Sequence, residues 1–155
     1  AVGDPAAATA TTASPEAAAR SQISEPRGAT RCGRPRNRAL MLTLFLTNRP
    51  DAPPVPVAAG QTLLAALHTA ALDHAHACGG RGRCTTCRLE ISSGADALLP
   101  ATPAETRFRA LGRLPATSRL ACQAAARPAT DDVPPGAELR ATVPPEGQLP
   151  QLSYT

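Results

Sequence analysis

Residues 78–87 read Cys-Gly-Gly-Arg-Gly-Arg-Cys-Thr-Thr-Cys, and a further cysteine, Cys122, follows after thirty-four intervening residues within Arg-Leu-Ala-Cys-Gln. Three thiols therefore share one short loop, and a fourth returns from a distant part of the chain. Three glycines lie between the first two cysteines. Glycine lets the backbone adopt positive φ and brings its N–H groups close to sulfur. The stretch therefore predicts a loop that wraps closely around inorganic atoms.

The spacing of the cysteines indicates which atoms these are. A cluster of two irons and two sulfides is held by four protein ligands, and three close thiolates with one distant thiolate suit it well. Structural zinc sites usually combine two Cys-x2-4-Cys pairs, and only Cys84 and Cys87 form such a pair here. Zinc remains the alternative that four cysteines leave open. The sequence predicts a [2Fe-2S] cluster with four ligands, Cys78, Cys84, Cys87 and Cys122, and with supporting loop residues Gly79, Gly80, Arg81, Gly82 and Arg83.

The fifth cysteine and the three histidines are not needed by this site. Five is an odd number of cysteines, which disfavours a disulfide framework. Cys32 lies in a segment without apolar periodicity, and we interpret it as unpaired. His74 and His76 precede the loop, but histidine ligation of the Rieske kind would replace two cysteines, and four are present. We expect both histidines to face solvent and His68 to have no special role.

The cysteine loop resembles the [2Fe-2S] ferredoxin family, in the branch with five residues between the first two ligands that the adrenodoxin-like ferredoxins share. It is also similar to the ferredoxin modules attached to some bacterial adenylate cyclases, both in Cys-Gly-Gly-Arg-Gly-Arg-Cys-x-Thr-Cys-Arg and in Arg-Leu-Ala-Cys-Gln. The likeness covers roughly residues 40–145. It implies a β-grasp fold. It also implies that Cys78 and Cys84 hold one iron, while Cys87 and Cys122 hold the other.

Composition divides the 155 residues into a leader and a domain. Residues 1–38 carry six arginines and three acidic residues, a net charge of +3 out of the chain's +4, and few large apolar side chains. Such a segment cannot bury enough surface to offset its conformational entropy. We therefore expect a disordered extension over residues 1–38, a folded domain over 39–146 and a C-terminal tail over 147–155. The extension fits an organelle transit peptide or, preferably, a misassigned translation start ahead of Met41.

Hydropathy and charge exclude two classes of partner. No apolar run approaches the ~18 residues that a membrane helix requires, and there is no signal-peptide core. Ligating thiols must stay reduced until iron binds, so we expect a soluble protein of the cytoplasm, or of an organelle matrix if the leader is a transit peptide. The basic composition does not indicate nucleic-acid binding, because no binding motif is present and only Phe45, Phe108 and Tyr154 offer aromatic stacking.

Alternating apolar residues predict the strands. A first strand is expected near residues 40–47, and a second, hairpin strand resumes the alternation at Val55 and Val57. A short strand follows the cysteine loop, with Leu89 and Ile91 inward and Arg88 and Glu90 outward. Residues 119–123 read as a short extended segment that delivers Cys122. The last predicted strand contains Leu139, Ala141 and Val143.

Two helix starts are encoded by capping residues. Thr62 is a predicted N-cap for a helix with one apolar face, formed by Leu63, Leu64, Leu67 and Ala71. Thr102, Pro103 and Glu105 predict a capping box for a second helix, with Phe108 and Leu111 pointing inward. The order of elements matches an α+β, β-grasp domain with a mixed sheet and one main packed helix. The low aromatic content makes folding partly dependent on the metal.

The predicted function follows from the chemistry of the cluster. A centre ligated only by thiolates exchanges one electron at a time and has no open coordination position, which predicts a carrier and not an enzyme. A redox-sensing regulatory module and a structural zinc-binding module are the alternatives. We expect a monomer.

Arginines near the cluster predict its electrostatics and its partners. Arg81, Arg83 and Arg88 favour the reduced state, which is the more negative one. They also form a basic rim for redox partners, a reductase and an acceptor, that present an acidic docking face. The second helix carries Arg107, Arg109 and Arg113 against Glu105, whereas the docking helix of the adrenodoxin-like proteins is acidic.

Overall fold

A computed structural model of the protein describes residues 40–128 and 133–155. Within those ranges the chain forms two α-helices, α1 (Leu63–Thr69) and α2 (Pro103–Ala110). The strands are β1 (Leu40–Leu46), β2 (Val55–Ala58), β3 (Arg88–Ser93), β4 (Ser118–Leu120) and β5 (Ala137–Thr142). Single 3-10 turns follow β3 at Ala95–Ala97 and β5 at Pro145–Gly147.

The strands form one mixed sheet in the order β2-β1-β5-β3-β4. β1 and β2 are an antiparallel hairpin, β5 runs parallel to β1, and β3 is antiparallel to both β5 and β4. The last strand of the chain therefore lies in the centre of the sheet. This mixed topology, with helices packed on the sheet, confirms the predicted α+β, β-grasp architecture.

The core lies between the sheet and the two helices. Leu42 and Leu44 of β1 are fully buried, as are Val55 and Val57 of β2, so the predicted alternation is confirmed. Leu44 stands opposite Leu139 in the parallel pairing of β1 and β5. Phe108 is the aromatic ring buried in the described core, and the remaining volume is filled mainly by Leu, Val and Ala.

Helix α1 begins as predicted but ends early. Thr62 accepts a hydrogen bond from the Ala65 N–H, as an N-cap does. Ala71 does not belong to the helix, because it adopts a left-handed φ of 56°. The Ala71 N–H donates to His68 and the Leu72 N–H donates to Leu67, which is the Schellman arrangement that closes a helix. The placement of Ala71 on the apolar face of α1 was therefore wrong.

Helix α2 has the predicted capping box. The Thr102 hydroxyl accepts from the Glu105 N–H at 3.4 Å, and the Glu105 carboxylate accepts from the Thr102 N–H at 2.9 Å. Phe108 is buried as expected, but Leu111 is 63% exposed. The helix ends at Ala110, and the Arg113 and Leu114 N–H groups turn back onto the Phe108 carbonyl. Leu114 consequently enters the core in place of Leu111, so that prediction was wrong.

The C-terminal segment packs against the domain. The Thr155 N–H donates to the Asn48 carbonyl at 3.1 Å, and the Leu149 N–H donates to the Tyr154 hydroxyl at 3.2 Å. The predictions for residues 1–38 and for Cys32 fall outside the described residues. No helix in the described part of the chain is long and apolar enough to cross a membrane.

Candidate metal centre

The cysteine loop connects α1 to β3 and is shaped by glycine. Gly79, Gly80 and Gly82 have φ values of 67°, 78° and 64°. These left-handed conformations turn successive amides toward the thiols. A hydrogen bond from the Arg83 backbone lowers the pKa of Cys78 to about 7, with further help from Cys84 and Arg81 and against the opposing effect of burial. The loop thus stabilises a thiolate at its first cysteine.

The second cysteine is linked to the first through Thr86. The Cys84 sulfur lies 3.1 Å from the Thr86 hydroxyl, which also accepts from the Ala77 N–H at 2.9 Å. A hydrogen bond from the Cys84 side chain also helps to lower the pKa of Cys78. Both thiols are half-buried. Cys78 and Cys84 therefore form one pair of candidate sulfur ligands close to the surface.

The other pair is formed across the fold. Cys87 immediately precedes β3 and Cys122 lies in a turn after β4, and their sulfurs are 3.4 Å apart. Both residues are buried. A hydrogen bond from the Cys87 thiol lowers the pKa of Cys122 to about 6, assisted by Gln123 and the Gly82 amide. The same hydrogen bond, together with burial, raises the pKa of Cys87.

Helix α1 holds the turn that carries Cys122. The Leu63 N–H donates to the Ala124 carbonyl and the Leu64 N–H to the Ala121 carbonyl, each at 2.9 Å. These N–H groups belong to the first turn of the helix, where no partner exists within the helix itself. The turn between Ala121 and Ala124 is therefore docked directly on the end of α1.

The donor set fits an iron-sulfur cluster. Backbone N–H groups donate to the thiols of Cys78, Cys87 and Cys122, and sulfur atoms of such clusters accept N–H hydrogen bonds. Gly82 lies so close to the Cys122 turn that an added Cβ would stand 3.0 Å from the Gln123 side chain. Within the described residues, no three His, Cys, Asp or Glu side chains are arranged to hold one metal ion. The thiols instead approach one another in two pairs.

Comparisons with known proteins identify the group that such a site holds. Residues 48–127, slightly more than half of the chain, match the model of the 2Fe-2S iron-sulfur cluster binding domain. The chain belongs to this family. It is a 2Fe-2S ferredoxin by relationship, its cofactor is a [2Fe-2S] cluster, and ferredoxins are electron carriers. The predicted family and cofactor are confirmed.

Three relatives illustrate the extent of the likeness. The 2Fe-2S ferredoxin of Haemophilus influenzae is 36% identical over 85 residues, 52% of this chain and 74% of that one. Chlorosome protein I of Chlorobaculum tepidum is 43% identical over 68 residues, 42% of this chain, which spans only 27% of that longer protein. The crystal structure of the ISC-like [2Fe-2S] ferredoxin FdxB from Pseudomonas putida matches with a TM-score of 0.52 at 27% identity. The match covers 70% of this chain and 94% of the FdxB chain.

In this ferredoxin His74 is buried, contrary to the prediction that it faces solvent. His74 is only 3% exposed, and its Nε2 lies 3.3 Å from the Cys87 carbonyl oxygen. Burial lowers the pKa of His74. His76 is half-buried, with Nδ1 2.6 Å from the His74 carbonyl, and its ring lies 4.8 Å from that of His68. No pattern in the sequence distinguishes a buried histidine from an exposed one in this segment.

The arginines around the ferredoxin loop differ in their partners. Arg81 and Arg83 are exposed and, in the described part of the chain, form no ion pair. Arg88 lies 3.0 Å from the Glu146 carboxylate and 3.9 Å from that of Glu90. Its side chain is 18% exposed, so Arg88 is less open than predicted and its charge is compensated. Arg107 of α2 lines a groove with Arg81 and Arg83, and donates to the Gly82 carbonyl at 3.5 Å.

A buried ion pair next to the site was not predicted. Glu105, expected only as a capping residue, is fully buried and accepts from Arg119 Nε at 2.9 Å and from the Leu120 N–H at 2.9 Å. Burial raises the pKa of Glu105, but hydrogen bonds from Arg119, Thr102 and Leu120 outweigh it and hold the pKa below its usual value. The Arg119 guanidinium also donates to the Leu99 carbonyl at 3.0 Å. The pair connects α2 to the strand that leads to Cys122.

Proposed function

We propose that this ferredoxin is a one-electron carrier whose cluster is held by Cys78, Cys84, Cys87 and Cys122. The approach of Cys87 to Cys122, 35 positions apart in sequence and 3.4 Å apart between sulfurs, carries this proposal. Thr86, which contacts the Cys84 sulfur and accepts from the N–H of Ala77 next to Cys78, supports the same ligand set. Two sulfur pairs suit two irons, with Cys78 and Cys84 on one iron and Cys87 and Cys122 on the other.

The loop residues have a distinct role in this proposal. The bound cluster supplies a reversible one-electron couple. The amides of the loop, freed to approach sulfur by Gly79, Gly80 and Gly82, offset its negative charge. Arg81 and Arg83 add positive charge at the outer edge of the same loop. The chain therefore binds the cluster, screens it and favours its reduced form.

The proposed role is that of a carrier and not of an enzyme. Four thiolates fill the protein positions on both irons, so no coordination position is open to a substrate. The half-buried pair, Cys78 and Cys84, brings the cluster near the surface, where a partner protein can exchange an electron. Free thiols before assembly require a reducing compartment, for which we propose the cytoplasm.

The partner is proposed to be a redox protein with an acidic face. We define the basic rim as Arg81, Arg83 and Arg107, which line one groove between the cysteine loop and α2. Leu111, one helical turn beyond Arg107 on the same face, is 63% exposed and offers an apolar contact. Unpaired charges at such a rim accelerate encounter with a complementary surface. Arg88 is left out of the rim because Glu146 already compensates it.

Anaerobic reconstitution with iron and sulfide tests the ligand set. We expect visible absorption bands, a rhombic EPR signal after one-electron reduction, and two irons per chain. Replacing Cys122 with Ser should abolish a stable cluster. The matched control is Cys32→Ser, which lies outside the residues matched by the family model and should leave the spectra unchanged.

Three outcomes would contradict parts of the proposal. A colourless protein with one tightly bound zinc would remove the carrier function altogether. An intact cluster in Cys122→Ser would remove only this ligand. A protein whose partner affinity depends on its redox state, without passing electrons onward, would be a sensor instead of a carrier.

A further inference from the structure

His74 is the one buried histidine of the described residues, and the carbonyl that it contacts belongs to a proposed ligand. Its Nε2 lies 3.3 Å from the Cys87 carbonyl oxygen. A carbonyl oxygen only accepts hydrogen bonds, so the ring must carry its proton on Nε2 and donate it. The side chain therefore makes a directed contact with the backbone of the third cysteine.

The Cys87 carbonyl is a junction between three segments of the site. Besides His74, it accepts from the Ala121 N–H at 2.9 Å. Ala121 immediately precedes Cys122, and the Cys87 and Cys122 sulfurs are 3.4 Å apart. His74 itself lies four residues before Cys78. The Cys87 carbonyl oxygen thus connects the segment before Cys78 to the turn that carries Cys122.

The backbone that carries the imidazole is held by two further hydrogen bonds. The Arg49 guanidinium donates to the Asp73 carbonyl at 2.9 Å, and the His74 carbonyl lies 2.6 Å from His76 Nδ1. The backbone around the histidine is therefore anchored independently of the cysteines. The ring therefore extends from an anchored backbone to the Cys87 carbonyl.

We propose that His74 is a positioning residue for the inner ligand pair, Cys87 and Cys122. Its N–H fixes the orientation of the Cys87 peptide, and with it the direction in which the Cys87 side chain meets the cluster. Groups that orient metal ligands affect binding by about 10- to 100-fold when they are removed. The inference rests on the proposed ligand set, and it adds a residue that the cysteine pattern does not reveal.

Substitutions at His74 in the cluster-loaded protein test this role. His74→Leu removes the donor, and we expect cluster loss to a chelator to become roughly tenfold faster. We also expect changed g-values of the reduced cluster and a shifted midpoint potential, because the Cys87 side chain would meet the cluster in a different orientation. His74→Gln, whose amide N–H reaches about as far as Nε2, should restore most of these properties. The control is Ser92→Leu, which removes an exposed side-chain donor to the Arg140 carbonyl in the sheet and should leave all three readouts as they are.

The rescue separates positioning from simple packing. If His74 only filled space, Leu would replace it well and Gln would be no better. Wild-type potential and g-values in His74→Leu, or failure of His74→Gln to recover them, would overturn the inference. Absence of a cluster from the wild-type protein would instead be a failure of the proposed function, visible in its absorption spectrum before any variant is compared.

Discussion

Arg81 and Arg83 are the charges of the basic rim that belong to the cysteine loop itself. Both are exposed, and each follows a glycine of the loop. Reduction adds a negative charge to the cluster, so a neighbouring cation stabilises the reduced state, although solvent and salt screen the effect. These residues therefore affect the potential more than the stability of the protein.

We predict that Arg81→Glu combined with Arg83→Glu lowers the midpoint potential by on the order of tens of millivolts. Voltammetry at low and high ionic strength measures the shift, which should shrink with added salt. The reduced variant should be oxidised more slowly than the wild type by ferricyanide, which is an anion. Its oxidation by a cationic cobalt complex should not be slowed. Arg140→Glu, a reversal on the exposed face of β5, is the control. An unchanged or raised potential in the double variant would contradict the prediction.

A comparison of Gly79 with Gly82 distinguishes the cost of a left-handed backbone from the cost of a steric clash. Both have left-handed φ values, but only at Gly82 would a Cβ meet other atoms, 3.0 Å from Gln123 and 3.1 Å from Ala104. At Gly79 nothing lies within 4 Å. We predict that Gly79→Ala incurs only the cost of a left-handed alanine, about 1–2 kcal/mol. Gly82→Ala should in addition displace the Cys122 turn. The yield of reconstituted cluster and its rate of loss measure this, and equal behaviour of the two variants would refute it.

At the scale of elements, α2 and β4 are joined by the Glu105–Arg119 pair. The carboxylate caps the helix and also accepts from the Leu120 N–H, two residues before Cys122. A buried ion pair of this kind contributes little relative to an apolar pair, but removal of one partner leaves an uncompensated charge. The position of the fourth cysteine therefore depends on the second helix.

We predict that Glu105→Gln lowers folding stability by about 3–5 kcal/mol, because Arg119 remains buried without its counter-charge. The variant should lose its visible absorbance at a lower urea concentration than the wild type, and a urea titration measures this difference. Glu146→Gln removes a carboxylate that is 73% exposed and should cost no more than about 1 kcal/mol. Similar urea midpoints for the two variants would disprove the difference.

The pH dependence of the same pair has a defined sign. The folded pKa of Glu105 lies below its usual 4.5, so its contribution is complete above that pH and is lost as the pH falls through the lower, folded value. We expect the wild-type protein to lose stability over this acidic range and Glu105→Gln to lack this component. The pH midpoint of cluster bleaching in both proteins provides the comparison.

Elements with local signals were predictable from the sequence. The capping box at Thr102 and Glu105, and the alternation in β1 and β5, each lie within a few neighbouring residues. Ala71 and Leu111 were misplaced because both helices end in turns whose N–H groups hydrogen-bond back onto carbonyls of the helix. The burial of His74 and the pairing of Glu105 with Arg119 depend on contacts across 13 and 14 positions, which no periodic pattern records. The ligands were predictable as a set because their spacing is itself a chemical constraint, and that set remains a prediction.

At the scale of the molecule, two parts of the fold differ in their dependence on metal. The strands β1 and β5 bury Leu42, Leu44 and Leu139 completely, without using the cysteines. The cysteine loop and the Cys122 turn, in contrast, meet at the four thiols. Metal binding contributes directly to folding where the site is absent from the unfolded chain.

We predict that removal of iron lowers the unfolding temperature and selectively raises amide hydrogen exchange in residues 78–87 and 121–124. The amides of β1 and β5 should stay protected, since their hydrogen bonds lie within the sheet. Hydrogen exchange read by mass spectrometry, with and without the cluster, distinguishes the two regions. Uniform loss of protection would mean that the whole domain requires the metal.

The central place of β5 has a consequence for biosynthesis. β1 and β3 do not pair with each other, because β5 lies between them. All four cysteines thought to ligate iron leave the ribosome before this strand does. A nascent or prematurely terminated chain that stops short of residue 137 thus offers every thiol while its sheet is still in two halves. We therefore expect such a chain to retain a cluster less firmly than the complete domain, in which β5 joins the two halves.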